Sequence, residues 1–256
     1  MNHATPIPVL GIPFYNRPDL LRRCLESIDY RVERIVIVDQ GPMGVPTDLL
    51  RWAAVEFNQR LQHLYHPNAG VAGAWNEILK LFPARWWMLV NNDIQFAPGD
   101  LCKMSGRVEY DLTFGREAGV YYGNHGASWF AITDACIAGA GLFDENIYPA
   151  YLEDCDYAHR MKLLGIPAEN IPGLGALHGN GHDAADTSQG SRTIQSDPEL
   201  RRKNGITHGR NFEYYRAKWG GSNGEERYTH PFNDPKIPAW AWSFQPGRRA
   251  LQKREF

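Results

Sequence analysis

Two apolar runs in this chain stop abruptly on polar groups. Ile35-Val36-Ile37-Val38 ends on Asp39, and Trp86-Trp87-Met88-Leu89-Val90 ends on Asn91-Asn92-Asp93. Short, β-branched or aromatic runs without polar alternation read as strands buried on both faces, which is the habit of parallel sheets. In open α/β sheets the carboxyl ends of the strands face the ligand crevice. Asp39 and Asp93 are therefore expected at the mouth of a site.

The segments between these runs carry helical signals. Pro18 suits a first helical turn, and Leu20, Leu21, Cys24, Leu25 and Ile28 recur at helical spacing, predicting a helix over 18–27. A first strand is expected over 7–12, a second helix over 48–58 and a third strand over 61–65. A helix opening at Asn68-Ala69-Gly70 carries Trp75, Ile78 and Leu79. Strands alternating with helices imply βαβ units and a mostly parallel sheet, an α/β fold. Beyond Pro98 the pattern loosens. Strands are expected over 120–122 and 128–132, short helices over 133–140 and 154–164, a loop over 179–200 and one more helix over 212–219.

At 256 residues the chain is long enough for a full core, and its 43% hydrophobic content is ordinary for a globular protein. A net charge of −2 argues against a globally basic nucleic-acid binder, although Arg201-Arg202-Lys203 and the tail around Arg248-Arg249 are locally basic. The four cysteines form no CxxC pair, so a structural zinc site is not expected. No apolar run reaches the length of a membrane span. Residues 1–8 lack a basic start followed by an apolar stretch, so the reading is a cytoplasmic protein without a secretory leader.

The second acidic cluster, Tyr151-Leu152-Glu153-Asp154-Cys155-Asp156, stands at the start of the helix over 154–164. Acidic groups at a strand end and at a helix start suit metal-assisted transfer of an activated group. Asp93 is one such group; the competing account is a helix N-cap or turn aspartate before Pro98.

Four elements in order resemble family 2 glycosyltransferases of the GT-A fold. They are Pro13-Phe14-Tyr15-Asn16-Arg17 before a leucine-rich helix, Val36-Ile37-Val38-Asp39, Asn91-Asn92-Asp93, and Gly141-Leu142-Phe143-Asp144-Glu145 followed by Glu153-Asp154 and Arg160. The similarity runs over about 8–182. It implies a Rossmann-like, mostly parallel sheet flanked by helices, with an acceptor-side extension. The GT-A domain would be 1–182, with a nucleotide-sugar half over about 1–97 and an acceptor half over about 98–182. Residues 183–256 would form a C-terminal loop and helical extension.

The resemblance implies an inverting transferase that moves a sugar from a UDP, dTDP or GDP sugar to an acceptor hydroxyl, with Mn²⁺ or Mg²⁺. Pro13, Tyr15, Asn16, Arg17 and Asp39 would surround the nucleotide, Asp39 accepting from the base and Tyr15 stacking on it. Asn68, Gly70, Asn76 and Asn92 would complete the nucleotide-sugar site. Asp93 and His178 would hold the metal, with His182 as a second candidate. Asp154 would be the general base, Glu153 would orient the acceptor, and Trp129 would form the acceptor floor. Asn91 stands where the family's Asp-x-Asp motif has its first aspartate, which leaves one carboxylate there. A glycan or lipid-linked glycan is the favoured acceptor. Alternatives are a modified base in DNA and a GT-A-like binding module without catalysis. Nucleotidyltransferases share a similar sheet but carry a glycine-rich loop and a lysine after the first strand, which residues 13–17 lack.

Overall fold

The computed structural model describes residues 5–179, 197–238 and 240. Its main sheet has seven strands: β1 (Leu10–Phe14), β2 (Ile35–Asp39), β3 (Leu61–Tyr65), β4 (Trp86–Val90), β6 (Val120–Gly123), β7 (Gly126–Thr133) and β8 (Ala168–Asn170). Their order is β3-β2-β1-β4-β7-β6-β8. β1 pairs in parallel with both β2 and β4, β2 with β3, and β6 with β8, while β7 runs antiparallel to β4 and β6. Two short strands, β5 (Ile94–Gln95) and β9 (Leu177–His178), form a separate antiparallel pair.

Period-2 alternation along the buried strands feeds two cores, one on each face. Ile35, Ile37, Trp86, Met88 and Val90 enter the core that also holds Leu21, Leu49 and Met104. Val36, Val38, Trp87 and Leu89 enter the other, with Trp75, Ile78, Phe143 and Tyr157. The first core is closed by α1 (Pro18–Glu26), α2 (Thr47–Phe57) and α4 (Asp100–Thr113). The second is closed by α3 (Gly70–Leu81), α5 (Asp134–Ala140) and α6 (Glu153–Leu164). Each large apolar side chain taken from water contributes roughly 1.5–3 kcal/mol, so both layers are strongly fixed.

Several elements depart from the sequence reading. The first strand runs over Leu10–Phe14, not 7–12, and Pro13 lies inside it. Helix α4 was not expected after Pro98. Its buried face holds Leu101, Met104 and Val108 but also Asp100, Ser105 and Asp111, which break the apolar period. Those polar groups are satisfied inside: Asp100 accepts from Ala97 N and Gly175 N, and Asp111 accepts from the Tyr121 hydroxyl at 2.9 Å. The last helix, α7 (Pro198–Trp219), begins well before residue 212. Its buried residues include Thr207, Asn211 and Lys218, so its inward face does not read as apolar.

Helix α7 is stitched to residues 144–156 by buried polar groups. Lys218 Nζ lies 2.6 Å from Asp156 Oδ1 and 2.8 Å from Asp144 Oδ2. Asn211 donates to Ala150 O at 2.9 Å and accepts from Tyr148 N at 3.2 Å. Among the described residues no helix is long and apolar enough to cross a membrane.

Candidate active site

The chain passes outward from β1 to β2 and β3, then returns to β4 on the other side of β1. Open α/β sheets bind ligands at such a reversal. A cavity of about 240 Å³ lies there. Pro13, Phe14 and Tyr15 line it from the end of β1, and Asn91 and Asn92 from the end of β4. Gln40, Asn68, Gly70 and Trp75 form one side, and Pro149, Ala150, Tyr151, Glu153 and Asp154 another.

Local chemistry fixes these walls. Gly70 opens α3 with φ +75, a conformation that favours glycine. A Cβ there would meet Pro149 O at 2.6 Å. The close approach lets Val71 N–H donate to Pro149 O at 2.8 Å, while Gly70 N–H donates to Asn68 Oδ1 at 3.0 Å. Asn68 thus lines the cavity while satisfying the backbone that opens α3. Tyr151 and Leu152 adopt φ of 73° and 81°, and this left-handed pair aims the first turn of α6 at the cavity. Such backbone costs about 1–3 kcal/mol per residue and is held by surrounding contacts, here Asn211 on the Ala150 carbonyl.

Glu153 is only 6% exposed, and its Oε2 has no hydrogen-bond partner among the described residues. Burial, and then the neighbouring Asp154 charge, pushes its carboxyl up to about 8. Asp154 is more open. One of its oxygens accepts from Cys155 N–H at 2.8 Å.

Asp93 and His178 are brought together. β5 and β9 pair Ile94 with His178, Gly179 N–H donates to Asp93 O at 2.8 Å, and His178 Nε2 lies 3.2 Å from Asp93 Oδ1. His125 lines the cavity and its ring centroid is 5.4 Å from that of His178. Its Nε2 donates to Ala176 O at 2.7 Å. Among the described residues there is no cluster of three or more His, Cys, Asp or Glu side chains suited to a metal. Asp93 and His178 do supply an oxygen and a nitrogen ligand side by side, a donor set that Mn²⁺ accepts. His182 lies outside the described residues.

Other expected residues are placed differently. Asn76 is fully buried and off the cavity wall. Its side chain accepts from Phe143 N at 2.9 Å and donates to Phe143 O and Glu145, tying α3 to the turn after α5. Trp129 is fully buried in the core against Phe96, not on the cavity floor, because its place on β7 points it to the opposite face. Arg17 heads α1 and pairs with Asp19 at 2.6 Å, away from the lining. Asn16 offers its carbonyl to Asn92 Nδ2 at 3.0 Å. Asp39 is buried: it accepts from Gly41 N at 3.1 Å and Val45 N at 2.7 Å, and His63 Nε2 stands 3.0 Å away. The neighbouring Gln40, not Asp39, lines the cavity.

The sequence reading missed Gln40, Trp75, His125, Tyr151 and Leu200 as wall residues. His125 sits in the tight turn between β6 and β7, a signal that was available. Leu200 arrives from α7, and no local pattern announces it.

Residues 10–118 match the family described as Glycosyl transferase family 2. A galactofuranosyl glycosyltransferase of Leishmania donovani is 46% identical over 234 residues, covering 64% of this chain and 54% of that protein. The chain thus spans about half the length of that curated relative. Among solved structures, GalNAc-T7 with UDP, GalNAc and Mn²⁺ aligns with a TM-score of 0.56 at 12% identity, over 83% of this chain and 50% of that one. The mannosyltransferase PcManGT of Pyrobaculum calidifontis, in complex with GDP-Man and Mn²⁺, gives 0.55 at 16% identity, over 83% and 72%. S. aureus TarS 1–349 gives 0.53 at 13% identity, over 68% and 60%. Residues 10–118 are thus similar to a glycosyl transferase family 2 domain, and the fold is that of the GT-A glycosyltransferases.

Proposed function

We propose that this chain is an inverting, metal-dependent glycosyltransferase that moves a sugar from a nucleoside-diphosphate sugar to an acceptor hydroxyl. One observation carries the reading. A single cavity at the sheet reversal joins the β1 and β4 ends to Glu153 and Asp154, with the Asp93–His178 pair beside it. Tyr15 and Gln40 line the same cavity as Asp154, so a nucleotide and a reacting sugar would share one space.

Asp154 takes the proton from the acceptor hydroxyl as its oxygen attacks the anomeric carbon, and the nucleoside diphosphate leaves from the opposite face. A single displacement inverts the anomeric centre. Glu153, held neutral by burial at ordinary pH, hydrogen-bonds the acceptor and orients it. Asp93 and His178 would hold Mn²⁺ or Mg²⁺, with donor phosphate oxygens as further ligands. Such an ion neutralises charge on the diphosphate. Tyr15 offers a ring for the base, and burial together with Asp197 and Glu199 raises its hydroxyl pKa, so it stays protonated.

The solved neighbours hold UDP or GDP-Man with Mn²⁺, which supports a UDP or GDP sugar as donor, with a dTDP sugar as the third choice. The galactofuranosyl relative adds a galactofuranosyl nucleotide to the donors worth testing; a glycan or lipid-linked glycan is the favoured acceptor and a modified DNA base the alternative. Asn91 in place of a carboxylate favours a second reading, a nucleotide-sugar binding module without turnover. Hydrolysis of UDP, dTDP and GDP sugars with Mn²⁺ separates the two. Release of diphosphate that stops in EDTA supports the transferase; tight binding with no release supports the module.

A further inference from the structure

Besides the two cores the chain forms a third, small apolar cluster. Ala150 and Leu200 are buried in it, and Tyr15, Val71 and Tyr151 pack against them. All five line the cavity, so this cluster is one of its walls. Tyr15 comes from the end of β1, Val71 from the first turn of α3, Ala150 and Tyr151 from the chain ahead of α6, and Leu200 from the first turn of α7. Among the described residues that line the cavity, Leu200 alone lies beyond Asp154.

The first turn of α7 is held in place. Asp197 caps the helix, its Oδ1 accepting from Leu200 N–H at 3.0 Å. Burial, and then the charges of Asp197 and Glu199, raise the Tyr15 hydroxyl pKa, so this turn stands beside Tyr15. Leu200 is 7% exposed and its N–H is spent on the cap, so what it brings to the cavity is an apolar side chain.

An apolar wall inside a ligand cavity fits a ligand with an apolar face. In a nucleoside-diphosphate sugar the diphosphate is charged and the sugar carries hydroxyls around its ring. The base is planar, with two apolar faces and a polar edge. Sugar hydroxyls and phosphate oxygens suit the polar lining instead, which holds Asn91, Asn92, Ser128, Glu153 and Asp154.

We propose that Leu200 is a further nucleotide-binding residue, its side chain completing with Tyr15 and Val71 the apolar wall that takes the base of the donor. The assignment rests on the nucleotide-sugar reading above and extends the donor site to α7. A bound base covers Leu200 and holds the first turn of α7 beside Tyr15.

The test is calorimetry in Mn²⁺ with UDP, GDP, UDP-galactose, GDP-mannose and inorganic pyrophosphate, on the wild-type chain, Leu200→Ala and Leu200→Met. Leu200→Ala should weaken UDP or GDP, whichever wild type binds, by about five- to tenfold. The sugar nucleotide should lose the same factor as its diphosphate. Pyrophosphate, which has no base, should lose nothing, and Leu200→Met should keep most of the affinity. Unchanged nucleotide affinity in Leu200→Ala, equal loss for pyrophosphate, a loss confined to the sugar nucleotides, or a Leu200→Met as weak as Leu200→Ala would overturn the assignment. If Leu200→Ala does not fold, amide hydrogen exchange on wild type replaces it. UDP or GDP should slow exchange at the amides that follow Leu200 in α7, and pyrophosphate should not. No slowing, or equal slowing by pyrophosphate, overturns the assignment. If wild type binds neither UDP nor GDP, the nucleotide reading fails and the assignment falls with it, a result distinct from nucleotide binding that ignores Leu200.

Discussion

His178 Nε2 stands 3.2 Å from Asp93 Oδ1, and the backbone puts it there. The β5–β9 pairing sets Ile94 opposite His178, and Gly179 N–H bonds the Asp93 carbonyl. Two residues far apart in the chain are thus fixed by a sheet register, which side-chain motion alone cannot undo. Such a pairing beside the cavity makes sense if both groups share one ligand.

A divalent cation is the expected shared ligand. EDTA should abolish diphosphate release. Asp93→Ala should weaken Mn²⁺-dependent donor binding by at least about tenfold, and His178→Ala by less, because carboxylate charge is lost only in the first. Thermal melts without metal should show both variants folded. Full activity in EDTA would sink the metal assignment and the role of His178 with it.

Asp154→Asn keeps the shape of the base but cannot take a proton. It should lower turnover by about 10²–10⁴-fold with donor affinity nearly unchanged. Glu153→Gln should be milder, since its amide still hydrogen-bonds an acceptor. Turnover and donor binding of both variants decide. An active Asp154→Asn beside a dead Glu153→Gln would reverse the roles.

Glu153 should also set a pH dependence of stability. Its carboxyl is raised from 4.5 to about 8 by burial and by Asp154. Between those values the folded chain holds a proton that the unfolded chain has released. Stability contributed by the neutral carboxyl is therefore complete below about 4.5 and falls as pH rises to about 8. Glu153→Gln cannot lose a proton, so it should gain on wild type by on the order of 3 kcal/mol between pH 5 and 8.5. Denaturant titrations at the two pH values measure this. A constant gap between variant and wild type would mean that Glu153 is ionised in the fold.

Much of the stretch before Pro98 was legible because its central strands are apolar throughout and its helices keep a clean period. Ile35–Val38 and Trp86–Val90 could be nothing but buried strands, and their polar ends announced the crevice. The chain beyond Pro98 was less legible because it buries polar groups. Asp100, Asp111 and Asn211 occupy inward positions where a pattern reader expects leucine. Asp93 and His178 could be named from a motif, but their approach depends on β5 and β9, each only two residues long. Asn76 and Trp129 show the reverse difficulty. Both lie in segments that carry site residues, and each points away from the cavity for reasons of register and helix face.

The buried charges beneath α6 yield the last prediction. Lys218, Asp144 and Asp156 are completely buried, with Arg160 1% exposed beside them. Lys218 bridges the two carboxylates, Arg160 Nε lies 3.0 Å from Asp156 Oδ2, and Tyr214 and Trp219 donate one hydrogen bond to each acid. The charges balance, two acids against two bases, so removing one strands another in low dielectric. Lys218→Met keeps the length and volume of the stem but leaves Asp144 with only neutral donors. It should cost about 3–5 kcal/mol, the range for breaking a buried ion pair from one side. Adding Asp144→Asn removes the stranded charge, and the double variant should recover part of that loss. Because Asn211 on the same helix holds the Ala150 carbonyl, loosening α7 should also lower turnover more than it lowers nucleotide affinity. Denaturant unfolding of wild type, single and double variants measures the coupling. If Lys218→Met is as stable as wild type, the network does not anchor α7, and the acceptor wall must be held by the Asn211 and Leu200 contacts alone.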